Sequence, residues 1–307
     1  VTAEFRQDPL TGALAALAPG RAGRPHGTPG AACPFCPGPG EDTPPETWRL
    51  AAADGTWRVR AVRNRYPIAD GHEVVIESPR HDWDLATATT DEAADLLSAW
   101  QHRHRALRPG AAQVVVYRNH GAAAGASLSH PHSQLVTLPV LAPATRLAIT
   151  RQRDHYVRHG TPLAIDVAAH ALRSGTRVVH ADQHTTTFIP FAPTSGFELR
   201  IVPASPRADF ADVPGDELVH VAEALRAALA ALREALADPA YNLVVDTAPV
   251  GREDAAHLCW SLGVVPRLST PAGLELATGV PVVTTAPEEA AARLRALHRM
   301  RAPAARG

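Results

Sequence analysis

The sequence predicts an α+β fold built from two halves with the same order of elements, and three observations predict it. Short β-branched and aromatic runs alternate with long helical patterns, the spacing of those elements returns in the second half, and an irregular Gly/Pro/Arg-rich segment precedes them all. With 307 residues, 45% of them hydrophobic, the chain can form one large domain or two fused smaller ones around a substantial core.

From Val1 to about Glu46 there is little periodicity, so this stretch is expected to be an irregular arm carrying the turn Cys33-Pro34-Phe35-Cys36. Trp57 to Val62 and His72 to Glu77 are β-branched and apolar and predict strands. Thr90 to Leu107 has helical spacing, with Asp91 and Glu92 in the first turn where the helix dipole favours acids. Gln113 to Tyr117 then predicts a buried strand, the Gly/Ala/Ser stretch to Ser129 a tight loop, and Gln134 to Leu138 another strand. His130-Pro131-His132 is therefore expected at a strand entrance. Pro143 to His159 predicts a helix, because a proline in the first turn lacks only an N–H that has no intrahelical partner there. Strands near Thr176 to Val179, Thr185 to Ile189 and Phe197 to Val202 precede a long helix from about Asp216 to Leu236.

The repeat lies in the intervals. His72 to Gln113 is nearly as long as Phe197 to Tyr241, and Gln113 to His130 nearly as long as Tyr241 to His257. Aligned this way, the second half keeps His257 but has Cys259 opposite His132 and Ser261 opposite Gln134, so a catalytic half over residues 1–140 and a degenerate half over 141–307 are expected.

Composition excludes several classes. A formal net charge of −1 gives no basic field for nucleic acid, so phosphate would be bound locally. All 30 basic residues are Arg, which removes lysine Schiff-base or lysyl-nucleotide chemistry. No charged and apolar leader is visible, and no apolar run approaches the ~18 residues of a membrane span, so a soluble cytoplasmic protein is expected. Three cysteines are too few for a disulfide scaffold; the Cys33/Cys36 spacing suits a metal or a redox pair, and Cys259 has no evident partner.

The segment from Asn119 to Gln134 carries the chemistry. Its small residues let backbone N–H groups approach an anion, and Ser127 adds a hydroxyl. His130 and His132 share a face if the chain is extended, although the rigid Pro131 can direct them to adjacent sites. A neutral imidazole can attack phosphorus and split one transfer into two displacements, and Gln134, two residues on, could stabilise the charge that develops. A metal site or a satisfied core pair is the ordinary alternative for His-x-His.

The full pattern, Gly121-Ala122-x-x-Gly125-x-Ser127-x-x-His130-Pro131-His132-x-Gln134, resembles the active-site signature of the galactose-1-phosphate uridylyltransferase family. That family includes ADP-glucose and diadenosine polyphosphate phosphorylases and belongs to the histidine-triad superfamily. The resemblance implies a duplicated histidine-triad-like fold of two antiparallel sheets with helices, its second half degenerate and its N-terminal arm clamped by zinc. It makes His132 the nucleotidylated nucleophile, Gln134 its phosphate partner, and Ser127 and Asn119 phosphate ligands. Asp8-Pro9-Leu10-Thr11-Gly12 and Pro19 to Pro25 match the family's opening motif, whose two arginines, here Arg21 and Arg24, approach the phosphates. Cys33, Cys36, His81 and His130 correspond to a structural zinc set, one ion per chain. Phe35, Asn64, Arg65 and Tyr66 fall where the family contacts the nucleoside, and Glu275 where a Glu contacts sugar hydroxyls.

What the resemblance implies is ping-pong nucleotidyl transfer between a nucleotide sugar and a sugar 1-phosphate, with a homodimer as one assembly. The alternatives are a phosphorylase using inorganic phosphate and, from other classes, a nucleotide-binding module without turnover or a redox protein using Cys33 and Cys36. Three departures stand out. Asp246 and Cys259 occupy positions where some members have histidines of a second metal site, which is therefore not expected here. Leu274 and Ser269-Thr270 replace aromatic and basic-aromatic residues, so sugar recognition is expected to differ.

Overall fold

In the computed structural model, residues 3–21 and 32–301 are described. The chain opens with β1 (Glu4–Gln7) and β2 (Leu14–Leu17), an antiparallel hairpin whose turn is held by the Asp8 carboxylate accepting from the Leu10 and Thr11 N–H groups. The first half continues with β3 (Glu46–Ala51), β4 (Trp57–Arg63), β5 (His72–Ile76), α1 (Thr90–Ala106), β6 (Gln113–His120) and β7 (His132–Leu138). The second contains α2 (Pro143–His159), α3 (Leu163–Ser174), β8 (Val178–Ala181), β9 (Thr185–Phe188), β10 (Leu199–Pro203), α4 (Gly215–Leu236), β11 (Tyr241–Asp246), β12 (Ser261–Pro266), α5 (Gly273–Thr278) and α6 (Pro287–Arg301).

Local chemistry sets the helix bounds. Thr89 caps α1 in a reciprocal box with Glu92: the Glu92 N–H donates to the Thr89 hydroxyl, and the Thr89 N–H donates to the Glu92 carboxylate. Gly160 and Gly175 end α2 and α3 in the left-handed conformation.

The strands after β2 form one antiparallel sheet in the order β3-β4-β5-β7-β6-β11-β12-β10-β9-β8. Outward from the joint between β6 and β11, both halves read the same: a strand, the next hairpin partner, then three more in matching sequence order. The α+β architecture is the expected one, with a correction to its sheets. The two half-sheets do not stand apart; they pair edge to edge, from His120 opposite Tyr241 to Val116 opposite Val245. Each of β6 and β11 would otherwise expose a row of unpaired N–H and C=O groups.

The expected residue alignment between the halves needs a second correction. The intervals that start at His72 and Phe197 set Val74 against Leu199, yet Val74 packs under the arm with Phe35, Val62 and Ile76, whereas Leu199 lies in the main core. Val74 pairs with Gln134, while Leu199 pairs with Val264 and not Ser261. The order of elements repeats; the residue correspondence is displaced.

One face of the sheet is covered by α1, α4 and α6. Leu96, Leu97 and Trp100 of α1 meet Leu225, Leu229 and Leu232 of α4 over Val116, Leu135, Leu243 and Leu262 in one continuous core spanning both halves. Two ion pairs are buried there: Arg103 with Glu73 at 2.8 and 2.9 Å, and Arg118 with Glu77 at 2.9 and 3.1 Å. Arg118 also donates to the Tyr241 hydroxyl at 2.6 Å, carrying this network across the joint. The opposite face is covered differently in each half, by the arm over β4, β5 and β7 and by α3 over β9 and β10. Among the described residues, no helix is long and apolar enough to cross a membrane.

Candidate active site

The loop from β6 to β7 places the His-Pro-His. Gly121 turns at φ 79°, and a Cβ there would stand 2.8 Å from the Ala240 Cβ, so both conformation and space require glycine. Gly125, at φ 87°, closes the short 3-10 turn of Ala122–Ala124. The loop is moored to the second half by Asn242, whose side-chain amide donates to Asn119 Oδ1 and to the Ala124 carbonyl, each at 2.9 Å.

Beyond that loop a cavity of about 130 Å³ opens between the arm and the sheet. It brings together seven of the sequence-predicted residues, Phe35, Asn64, Arg65, Tyr66, Ser127, His132 and Gln134, and adds Asp42 and Arg63, which sequence reasoning missed. Its walls are apolar where Phe35, Val62, Val74 and Leu128 meet. A larger, open depression of about 580 Å³ beside Ala86, Ala230 and Asp238 carries none of the motif residues.

His132 is buried at the first position of β7, with its Nδ1 2.9 Å from the carbonyl oxygen of His130. A carbonyl can only accept, so Nδ1 carries the hydrogen and the neutral ring has its lone pair at Nε2. Phe35 stands edge-on to this ring at 5.7 Å and to His130 at 5.9 Å. Gln134 lies two residues along the same face, buried, with the Tyr117 hydroxyl donating to its amide oxygen at 3.0 Å.

The rim is built by the turn after β4. Asn64 Oδ1 accepts the Tyr66 N–H at 2.8 Å, and Arg21 donates to the Tyr66 carbonyl, which ties the start of the arm to this turn. Arg65 forms a bidentate pair with Asp42 at 2.6 and 2.7 Å, and that guanidinium holds the Asp42 carboxyl below its usual range. Arg24 lies outside the described residues. Among the described residues, three predicted to meet substrate are not brought to the cavity wall, and Arg21, held at the Tyr66 carbonyl, is the first of them. Asn119 is engaged with Asn242, and Glu275 sits on exposed α5, where its carboxylate accepts the Ala272 N–H at 3.0 Å.

Beside the cavity, Cys33, Cys36, His81 and His130 converge, with one ligand atom from each within 4.8 Å of all the others. Sγ of Cys36 is 3.3 Å from His81 Nδ1 and 3.5 Å from His130 Nδ1, and Sγ of Cys33 is 3.6 Å from His130 Nδ1. Tetrahedral bonds of about 2.3 Å to sulfur and 2.0–2.1 Å to nitrogen separate S and N by roughly 3.6 Å, so the cluster fits a metal ion in size and donor type. The outer nitrogens are also held: His130 Nε2 donates to the Ser78 carbonyl at 2.8 Å, and His81 Nε2 lies 3.1 Å from Ser129 Oγ. Burial and the neighbouring Cys33 push the Cys36 thiol up, and burial pushes His130 down. The adjacent placement of His130 and His132 gives the two histidines different surroundings, a Cys/His cluster and a cleft.

Asp84, His120 and Asp238 also approach one another, but the His120 nitrogens face different carboxylates, at 3.8 and 3.4 Å, and the ring stacks on Tyr241. Burial, with Arg118 next in effect, holds the His120 pKa below its ordinary value, so these are contacts of a ring that favours its neutral form. Asp246 and Cys259 belong to no metal-binding group among the described residues.

A family model described as the N-terminal domain of galactose-1-phosphate uridyl transferase matches residues 67–142. The chain is 29% identical to an ADP-glucose phosphorylase from Arabidopsis thaliana, over 95% of this chain and 92% of that one. It is 31% identical to a galactose-1-phosphate uridylyltransferase from Streptomyces lividans, over 66% of this chain and 56% of that one. Among solved structures, a uridylyltransferase superposes with a TM-score of 0.85 at 29% identity, covering 98% of this chain and 100% of its own. The Arabidopsis ADP-glucose phosphorylase with bound ADP-glucose gives 0.80 at 29% identity, covering 96% and 98%.

Proposed function

Since the chain belongs to the galactose-1-phosphate uridylyltransferase family, we propose that it transfers a nucleotidyl group from a nucleotide sugar to a second phosphate through a covalent intermediate on His132. The observation that carries this reading is the His132 ring, oriented by the His130 carbonyl and opening on the same cavity as Ser127 and Gln134.

In the first step the Nε2 lone pair attacks the α-phosphorus, a P–N bond forms, and the P–O bond to the leaving sugar phosphate breaks. In the second, a phosphate oxygen of the acceptor attacks the same phosphorus and the P–N bond breaks, returning neutral His132. Gln134 and Ser127 donate to the phosphoryl oxygens as charge develops, with Arg21, Arg24 and Asn119 as further phosphate ligands. Phe35, Asn64, Arg65 and Tyr66 hold the nucleoside. Glu275 is assigned to the sugar.

Cys33, Cys36, His81 and His130 would hold one structural zinc ion. The closed four-ligand set would fix the arm, and Phe35 with it, against β7.

The acceptor is a sugar 1-phosphate in this reading. Inorganic phosphate is the second, favoured by the near full-length match to a chain named a phosphorylase. Incubating the protein with ADP-glucose or UDP-glucose and either galactose 1-phosphate or inorganic phosphate separates the two by product. With nucleotide sugar labelled at the α-phosphorus, wild type should retain label and His132→Ala should not, turnover falling by on the order of 10³-fold or more. Equal labelling of both proteins would sink the reading.

A further inference from the structure

We propose that His72 and Tyr117 are positioning residues that lock the side-chain amide of Gln134 so that its NH₂ end faces the transferring phosphate. This rests on the reading of Gln134 as a phosphate partner.

The orientation follows from groups that can only donate. The backbone N–H of Ile68 lies 3.0 Å from His72 Nδ1, so Nδ1 accepts and the ring hydrogen sits on Nε2. That Nε2–H is 3.0 Å from the Gln134 amide. The atom facing it must therefore be the carbonyl oxygen, because the reversed amide would set NH₂ against N–H in a buried site. The Tyr117 hydroxyl supplies a second donor to the same oxygen at 3.0 Å.

Asn64 is fixed by the same logic. Its Oδ1 accepts the Tyr66 N–H, which leaves its NH₂ 3.4 Å from Gln134 Oε1; with the ring hydrogen on His72 Nε2, the 3.0 Å approach of the Asn64 NH₂ to that nitrogen is a contact between two donors and not a hydrogen bond. Two backbone N–H groups of the turn over residues 64–68 thus set His72 and Asn64, and these set Gln134.

A Gln amide has nearly equal rotamers in solution, and only one of them offers donors to an anion. With its oxygen fully engaged, the NH₂ end is the one left to stabilise phosphoryl oxygens. Reversal would turn a lone pair toward the negative charge it is meant to offset. The lock acts on the transition state more than on nucleotide binding, so its loss should lower kcat and leave KM within about threefold.

The test is a double-mutant cycle on α-labelled ADP-glucose or UDP-glucose, read as the rate of label transfer to His132. His72→Phe should slow labelling by roughly 10- to 100-fold, and His72→Gln, which keeps a donor near the Nε2 position, should recover part of that rate. In a Gln134→Ala background, His72→Phe should have no further effect. Tyr117→Phe removes only a hydroxyl and should show the same coupling at a smaller, roughly three- to tenfold, effect; it decides the matter if His72→Phe does not fold. Losses that multiply in the Gln134→Ala background would overturn the lock. A Gln134→Ala protein that labels at the wild-type rate would instead overturn the role of Gln134 itself.

Discussion

The two halves share a strand order and differ in what lies on the outer face of the sheet. In the first, the arm stands off β4, β5 and β7 and leaves a cavity into which His132 and Gln134 open. In the second, α3 packs Ala168 and Ala171 directly onto Phe188, Val202 and Cys259, and the space is filled. The sheet is a common support; the cover decides whether a cavity remains on it. A helix brings satisfied backbone and close-packed small residues, whereas a loop-rich arm leaves polar groups and room for a ligand.

Loosening the arm should erase this contrast most strongly. Cys33→Ser removes one of four converging side chains, so the zinc proposed for this cluster should fall from one per chain in wild type toward zero in the variant. Phe35 and the cavity wall would then lose their support, and a shift of about 1 Å near the reacting atoms can cost about 100-fold in turnover. Metal analysis and initial rates measured together check this; full activity in a metal-free variant would remove the arm from the account.

Next in size is the joint itself. Glu77→Gln leaves the Arg118 guanidinium buried without its counter-charge, a loss of about 3–5 kcal/mol. Thermal unfolding should show a fall in Tm of roughly 6–15 °C at about 2–3 °C per kcal/mol. Because the Arg118 network spans β6 and β11, both halves should unfold together at the lower temperature.

The converse test lies in the second half. Cys259→Ala trims a small buried side chain under α3 and should cost about 1 kcal/mol, with labelling of His132 unchanged. If labelling fell tenfold instead, the covered face would share in the chemistry and the contrast would fail.

Local pattern carried some of this structure and not the rest. The helices α1, α2 and α4 were legible because their periodicity and caps are local, and the Cys/His cluster because its residues sit in a long, specific motif. The helix α3 went unread: it starts after Pro162 with a short run, Leu163 to Val167, that could equally suit a strand. Strand β3 was hidden by its Pro-rich approach. His72 and Tyr117 gave no signal because their roles exist only once β5, β6 and β7 pair, the register setting Val74 and Tyr117 opposite Gln134. Asp42 is similar, meeting Arg65 only when the arm folds over the sheet. For Arg21, Asn119 and Glu275 the motif gave a role that their positions off the cavity wall do not by themselves support.

Asp42 provides the smallest expected effect and the finest test of how the arm meets the cleft. Its carboxylate and Arg65 are both solvent-accessible, so the pair should add little to stability. It does hold the guanidinium away from other partners. Asp42→Asn releases Arg65 and removes a negative charge beside a site for an anionic ligand, so KM for a nucleotide sugar should fall by roughly two- to fivefold with kcat unchanged. The pH dependence separates this from general acid effects. The Asp42 carboxyl is held below its ordinary value, so its pairing is present at neutral pH and is lost only as the pH falls through that lowered value. Lowering the pH from about 7 to about 5, still above the ordinary Asp range near 3.9, should therefore not reproduce the Asp42→Asn effect in wild type. A KM that already drops to the variant's value at pH 5 would show that Asp42 is not the group holding Arg65.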